Sequence, residues 1–169
     1  MNIQRMPKRY WRIIEMSTPC TITAYDPCAE QFVTTTCYYD GYEDHTGLLL
    51  CMYFDTPEQA LRLVKDHPSG FRSLRFGGFI HENDTSSSSI LTTSKSIRHM
   101  LSQWDTWVYR HYVFSYDKWQ VVEESARGVS VRKIQMSKAR KNEISDNLGL
   151  WQLAYATAET IDDAEGEEL

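Results

Sequence analysis

Residues 107–122 read WVYRHYVFSYDKWQVV, and this stretch decides the fold class. Successive side chains of a strand point to opposite faces. Trp107, Tyr109, His111 and Val113 therefore share one face, and Val108, Arg110, Tyr112 and Phe114 share the other. Tyr116-Asp117-Lys118 supplies a turn and Trp119 to Val122 returns, which predicts an antiparallel hairpin. One Arg on a face that is otherwise apolar predicts partial exposure there.

Upstream, a second hairpin is predicted from Thr21 to Tyr25 (TITAY) and Gln31 to Tyr39 (QFVTTTCYY). Both runs are rich in β-branched and aromatic residues, and Asp26-Pro27 lies in the turn between them. Asp40-Gly41 ends the second strand, with Gly41 expected to take a positive φ. Leu48 to Tyr53 is a compact apolar helical segment. Thr56-Pro57-Glu58-Gln59 then carries a helix start: a capping Thr, Pro at the first helical position and Gln to complete a capping box. Ala60, Leu61 and Val64 are expected on its inner face, and Pro68 and Gly70 stop it.

Other segments are less determined. Tyr10 to Met16 reads as a strand or a short helix, and Phe71 to His81 as loop or strand with a bend at Gly77-Gly78. Lys95 to Trp104 places Ile97, Leu101 and Trp104 on one helical face. Asn83 to Ser89 is a polar loop, and Gly149 to Tyr155 a last packed element. The expected fold is α+β: a small antiparallel sheet of hairpins packed against two or three short helices, forming one domain over 1–156. Residues 157–169 are expected to form a disordered acidic tail.

Charge supports that division. The net charge is −5, but Glu159 to Leu169 alone holds six carboxylates and no base. The rest has seventeen acids against eighteen bases, a body near neutrality. A DNA mimic, whose carboxylates would have to be spread over the folded surface as phosphates are along a duplex, is disfavoured. The longest apolar run, Leu48 to Phe54, is far shorter than the ~20 residues a bilayer requires, so no membrane partner is predicted. No apolar run follows the basic N-terminus, and the cytoplasm is the expected setting.

Cys20, Cys28, Cys37 and Cys51 form no C-x-x-C pair; they read as small buried apolar residues, with a four-thiolate zinc site as the alternative. No nucleophile elbow, phosphate loop or H-E-x-x-H stands in the chain, so no catalytic group, metal or cofactor is predicted. His81-Glu82-Asn83-Asp84 and Asp40, Glu43, Asp44 and His45 are clusters of potential ligands; the ordinary reading of the second is a solvated turn. Residues 127–141 hold six bases and no acid. They read as a solvated helix face attracting the acidic tail, or as a nucleic-acid contact made by Arg132, Lys133, Lys138, Arg140 and Lys141. Strand aromatics such as Tyr109, Tyr112 and Phe114 would then be available to stack bases.

The segment Phe32 to Leu74 resembles a widespread group of small phage- and prophage-encoded proteins of uncharacterised function. The resemblance is carried by Tyr38-Tyr39-Asp40-Gly41-Tyr42, Gly47-Leu48-Leu49-Leu50, Tyr53, Thr56-Pro57-Glu58-Gln59 and Ser73-Leu74. The hairpin from Trp107 to Trp119 looks like the strand pair that follows in that group, so about half the chain is covered. Gly70-Phe71-Arg72 stands where the group has Gly-Asp. The resemblance implies a phage or mobile-element accessory protein acting in the bacterial cytoplasm, and no particular chemistry. Its expected function is binding and inhibiting or modulating a host protein, such as a CRISPR or restriction defence system, without catalysis. Tyr38, Tyr42, Glu43, Asp44 and Tyr109 are the expected partner-binding residues, against a plainer reading in which the tyrosines pack the core. Nucleic-acid binding through 127–141 is the alternative function, and an enzyme with a site near Asp40 to His45 the third.

Overall fold

The computed structural model describes residues 18–75, 77–82, 91–104, 108–137 and the backbone of 159–160. In chain order, strand β1 (Cys20–Asp26) turns into β2 (Gln31–Cys37), and a five-residue π-helical turn, Glu43–Gly47, runs directly into helix α1 (Leu48–Tyr53). Helix α2 (Pro57–Lys65), the small hairpin β3 (Ser73–Arg75) and β4 (Phe79–His81), strand β5 (Thr92–Ser94) and helix α3 (Ile97–Ser102) follow. The chain then forms a meander of β6 (Arg110–Ser115), β7 (Lys118–Ser125) and β8 (Gly128–Lys133), with a short β9 (Gln135–Met136) beyond it. Glu159–Thr160, β10, pairs parallel with β9. The segments 10–16, 83–89 and 149–155 and the remainder of the acidic tail lie outside the described residues.

Six strands form one sheet in the order β5-β2-β1-β6-β7-β8. The two anticipated hairpins supply four of them. They are joined by one parallel pairing, β1 with β6, from Cys20↔Arg110 to Ala24↔Phe114, so the sheet is mixed. This α+β architecture agrees with the expectation. Residues 128–133 pair antiparallel with β7, so the stretch read as a helix face is a strand.

Alternation along the strands divides the interior into two cores. Ile22, Ala24, Val33, Tyr112, Phe114, Trp119 and Val121 pack with Leu48–Leu50, Leu63 and Val64 of α1 and α2, and with Phe71 and Leu74. Val113 and Val122, on the other face, meet Met100 and Leu101 of α3. Helix α2 starts as its sequence specifies: Gln59 N donates to Thr56 Oγ1 at 3.2 Å, and Thr56 N donates to Gln59 Oε1 at 3.3 Å. Its buried face is Ala60, Leu63 and Val64, with Leu61 only half-buried, because the docking side is rotated from the expected stripe. Lys65 Nζ lies 2.7 Å from Asp26 Oδ2 and ties the end of α2 to the end of β1.

Candidate functional site

The chain leaves β2 through a reversal whose geometry differs from expectation. The positive φ falls on Asp40 (58°), and Gly41 is not in the left-handed region. Gly41 is needed for space: a Cβ there would meet Thr18 O at 2.3 Å and Cys20 Cβ at 2.9 Å. Its own carbonyl accepts from the buried Tyr112 hydroxyl at 2.8 Å. Thr46 Oγ1 donates to Asp40 O at 2.6 Å, which closes the loop and launches the π-helical turn.

That turn aims two carboxylates at the far edge of the sheet. Arg132 grips Glu43 in bidentate fashion, Nη1 to Oε1 at 2.6 Å and Nη2 to Oε2 at 3.0 Å. Gln135 N donates to Glu43 Oε1 at 3.0 Å, and Arg110 Nε stands 3.4 Å from Glu43 Oε2. Arg132 Nε donates to Glu123 Oε1 at 2.7 Å. Asp44 accepts from Ser137 N at 2.7 Å and from the Ser137 hydroxyl. Burial pushes the Glu43 carboxyl up, but Arg132, the Gln135 N–H and Arg110 outweigh it and hold the group below the usual range. Glu43, with Glu123 adding to it, in turn raises Arg132 against the effect of burial. Glu43 and Asp44 are thus inner bolts of the fold.

The tyrosines beside them are open. Tyr42 is 43% and Tyr109 47% exposed, and their rings meet edge to face with centroids 5.5 Å apart. Tyr109 precedes β6 and is held by its N–H to Pro19 O at 2.7 Å. The Arg110 guanidinium lies 4.9 Å from the Tyr109 ring centroid, and its Nε is 3.4 Å from Glu43 Oε2. The result is an exposed aromatic pair braced from below by a partly buried cation and its carboxylate. Tyr38 does not join it: its hydroxyl donates to Ser69 O at 3.3 Å, and its ring lies against Gly70.

Arg110 is the residue that sequence reasoning missed. Its partial exposure was legible from the alternation, but its place between Tyr109 and Glu43 was not. Nor does local sequence pair Glu43 with Arg132, since they are 89 positions apart. Of the residues assigned to nucleic acid, Arg132 is engaged by two carboxylates, Lys133 is exposed on β8, and Lys138, Arg140 and Lys141 lie outside the described residues.

Of the ligand-like clusters, His45 and Glu82 are engaged internally, and Asn83 and Asp84 lie outside the described residues. His45 Nε2 is 2.9 Å from Leu74 O, and Glu82 Oε1 is 2.9 Å from His67 Nε2. Among the described residues, no three His, Cys, Asp or Glu side chains converge as a metal site would need. Cys20, Cys37 and Cys51 are buried and Cys28 is exposed, all as free thiols; burial pushes Cys20 well up. No described helix is long and apolar enough to cross a membrane. No family model, curated protein or solved structure matches the chain.

Proposed function

We propose that this is a phage or mobile-element accessory protein that binds a host protein in the bacterial cytoplasm and inhibits or modulates it without catalysis. The observation that carries this reading is the exposed Tyr42–Tyr109 pair set against Arg110. Tyr and Arg are the side chains that most often dominate protein interfaces, because they bring large contact area, polar tips and little entropy loss when already held. The sequence resemblance over residues 32–74 supports the phage setting. A CRISPR or restriction complex is the expected target.

Immobilised protein is expected to retain one stoichiometric partner from bacterial lysate and to relieve restriction or CRISPR interference in a plating assay. Tyr42→Ala with Tyr109→Ala should weaken capture by roughly 30-fold or more while preserving the fold. Loss of neither capture nor relief in that variant removes the tyrosine face from the account. A wild-type protein with no partner and no effect on any defence assay removes the function itself.

The alternative through 127–141 draws on Arg132, Lys133, Lys138, Arg140 and Lys141, of which Arg132 is held by Glu43 and Glu123. Reversing Lys138, Arg140 and Lys141 to Glu would abolish any salt-sensitive retention on nucleic acid if that reading held.

A further inference from the structure

At the other ends of β1 and β6, roughly 20 Å along the strands from Tyr109, lies a surface not used above. Ala24, Tyr25, Pro27, Pro57, Phe114 and the β6–β7 turn enclose a mainly apolar hollow of about 200 Å³. Tyr116 and Asp117 line it from the turn, and Asp117 also borders a neighbouring hollow of about 110 Å³ with Asp55 and Trp119. Three aromatic side chains and a carboxylate at one small hollow are the chemistry that receives a cation, since ring faces carry negative electrostatic potential. The volume suits one side chain and is too small for a drug-sized ligand. We propose that this hollow takes a single lysine or arginine side chain presented by a partner protein.

The turn residues point the same way. Ser115 pairs with Lys118, leaving a two-residue turn in which Tyr116 (φ 52°) and Asp117 (φ 59°) both adopt positive φ. Asn-Gly is the favoured sequence for such a turn, because positive φ crowds the Cβ of most residues. Tyr is a poor choice for the geometry, and at 90% exposure Tyr116 gains almost nothing from the core. Its ring is available to a second molecule instead. Asp117 makes no ion pair among the described residues, so its charge is open to an incoming cation. Asp55, on the adjoining hollow, extends the negative side; among the described residues, Lys118 is the single base lining either hollow. A basic side chain is therefore favoured over an acidic or neutral one. The proposal is independent of the Tyr42–Tyr109 face and survives if that face proves idle.

The test is an NMR titration of the full chain with acetyl-Gly-Lys-Gly-amide and acetyl-Gly-Arg-Gly-amide, with the norleucine peptide as uncharged control. At least one basic peptide should give saturable shifts at Tyr25, Phe114, Tyr116 and Asp117, with Kd on the order of millimolar. The norleucine peptide should give none. Asp117→Asn keeps a residue that tolerates positive φ and removes the charge; it should weaken binding by about five- to tenfold. The double variant Tyr116→Asn, Asp117→Gly should melt at a higher temperature yet lose binding altogether. Absence of saturable shifts with both basic peptides, equal shifts with norleucine, or undiminished binding by the double variant would each overturn the assignment. Tetramethylammonium binding more tightly than either peptide would also overturn it, by making the hollow a small-molecule site.

Discussion

Single residues decide the reversal after β2. Gly41→Ala would push a methyl group into Thr18 O and Cys20, and is expected to cost about 2–3 kcal/mol in chemical denaturation. Asp40→Gly, by contrast, relieves a positive φ and should be neutral or stabilising by up to about 1 kcal/mol. Glu43→Gln keeps the shape but takes the negative charge from between Arg132 and Arg110, and is expected to cost about 2 kcal/mol at neutral pH. Because the folded carboxyl titrates below its unfolded value of about 4.3, its contribution is complete above that pH and is lost as pH falls through the lower folded value. Melting temperatures of wild type and Glu43→Gln should therefore converge as pH is lowered below about 4. The sequence marked Asp40, Gly41, Tyr42, Glu43 and Asp44 as important, yet it gave the positive φ to Gly41 rather than Asp40 and set the acids beside the tyrosines as contact residues. Glycine needed for room and glycine needed for φ look identical in a chain of letters. Likewise, the carboxylates' inward role depends on Arg132 and Ser137, which arrive from the far side of the fold.

At the level of elements, local chemistry was the reliable guide. The capping box at Thr56 formed as written, and Thr56→Ala should cost about 1 kcal/mol, seen as a lowered midpoint in urea. Both long hairpins were readable from two-residue alternation and turn residues. Strand β5 was not, because Thr92–Ser94 is three residues long and has too little pattern to stand out. Strand β8 was obscured by its charge: Arg132 and Lys133 suggested water on every side, whereas the run Gly-Val-Ser-Val lies along β7 and only its outer edge is free within the sheet. The Tyr116–Asp117 turn is the element where fold and sequence disagree most. Exchanging it for Asn-Gly should raise stability by about 1 kcal/mol, measurable by calorimetry without any ligand.

For the molecule as a whole, the pairing of β1 with β6 is the contact on which the rest depends. It seats Tyr112 and Phe114 beside Ile22 and Ala24, and brings Arg110 to Glu43. No sequence signal announced it, since two strands separated by some ninety residues carry no mark of which partner each will choose. Fragments 1–85 and 86–169 made separately are expected to show no cooperative melting alone and to regain it on mixing. A sharp transition in either fragment by itself would mean that β1–β6 pairing is not the seam that makes one unit.

The same seam has a consequence during synthesis. A ribosome adding roughly 5–20 residues per second completes the β1–β2 hairpin about 4 to 15 seconds before β6 exists. Throughout that interval the inner edge of β1 has no neighbour, and the core around Ile22 and Ala24 lacks Tyr112, Phe114, Trp119 and Val121. The nascent chain is thus most prone to clumping, and most dependent on chaperones, while its second half is still being translated. Slowing translation between codons 40 and 110 should lower the yield of folded protein more than slowing it anywhere after β7.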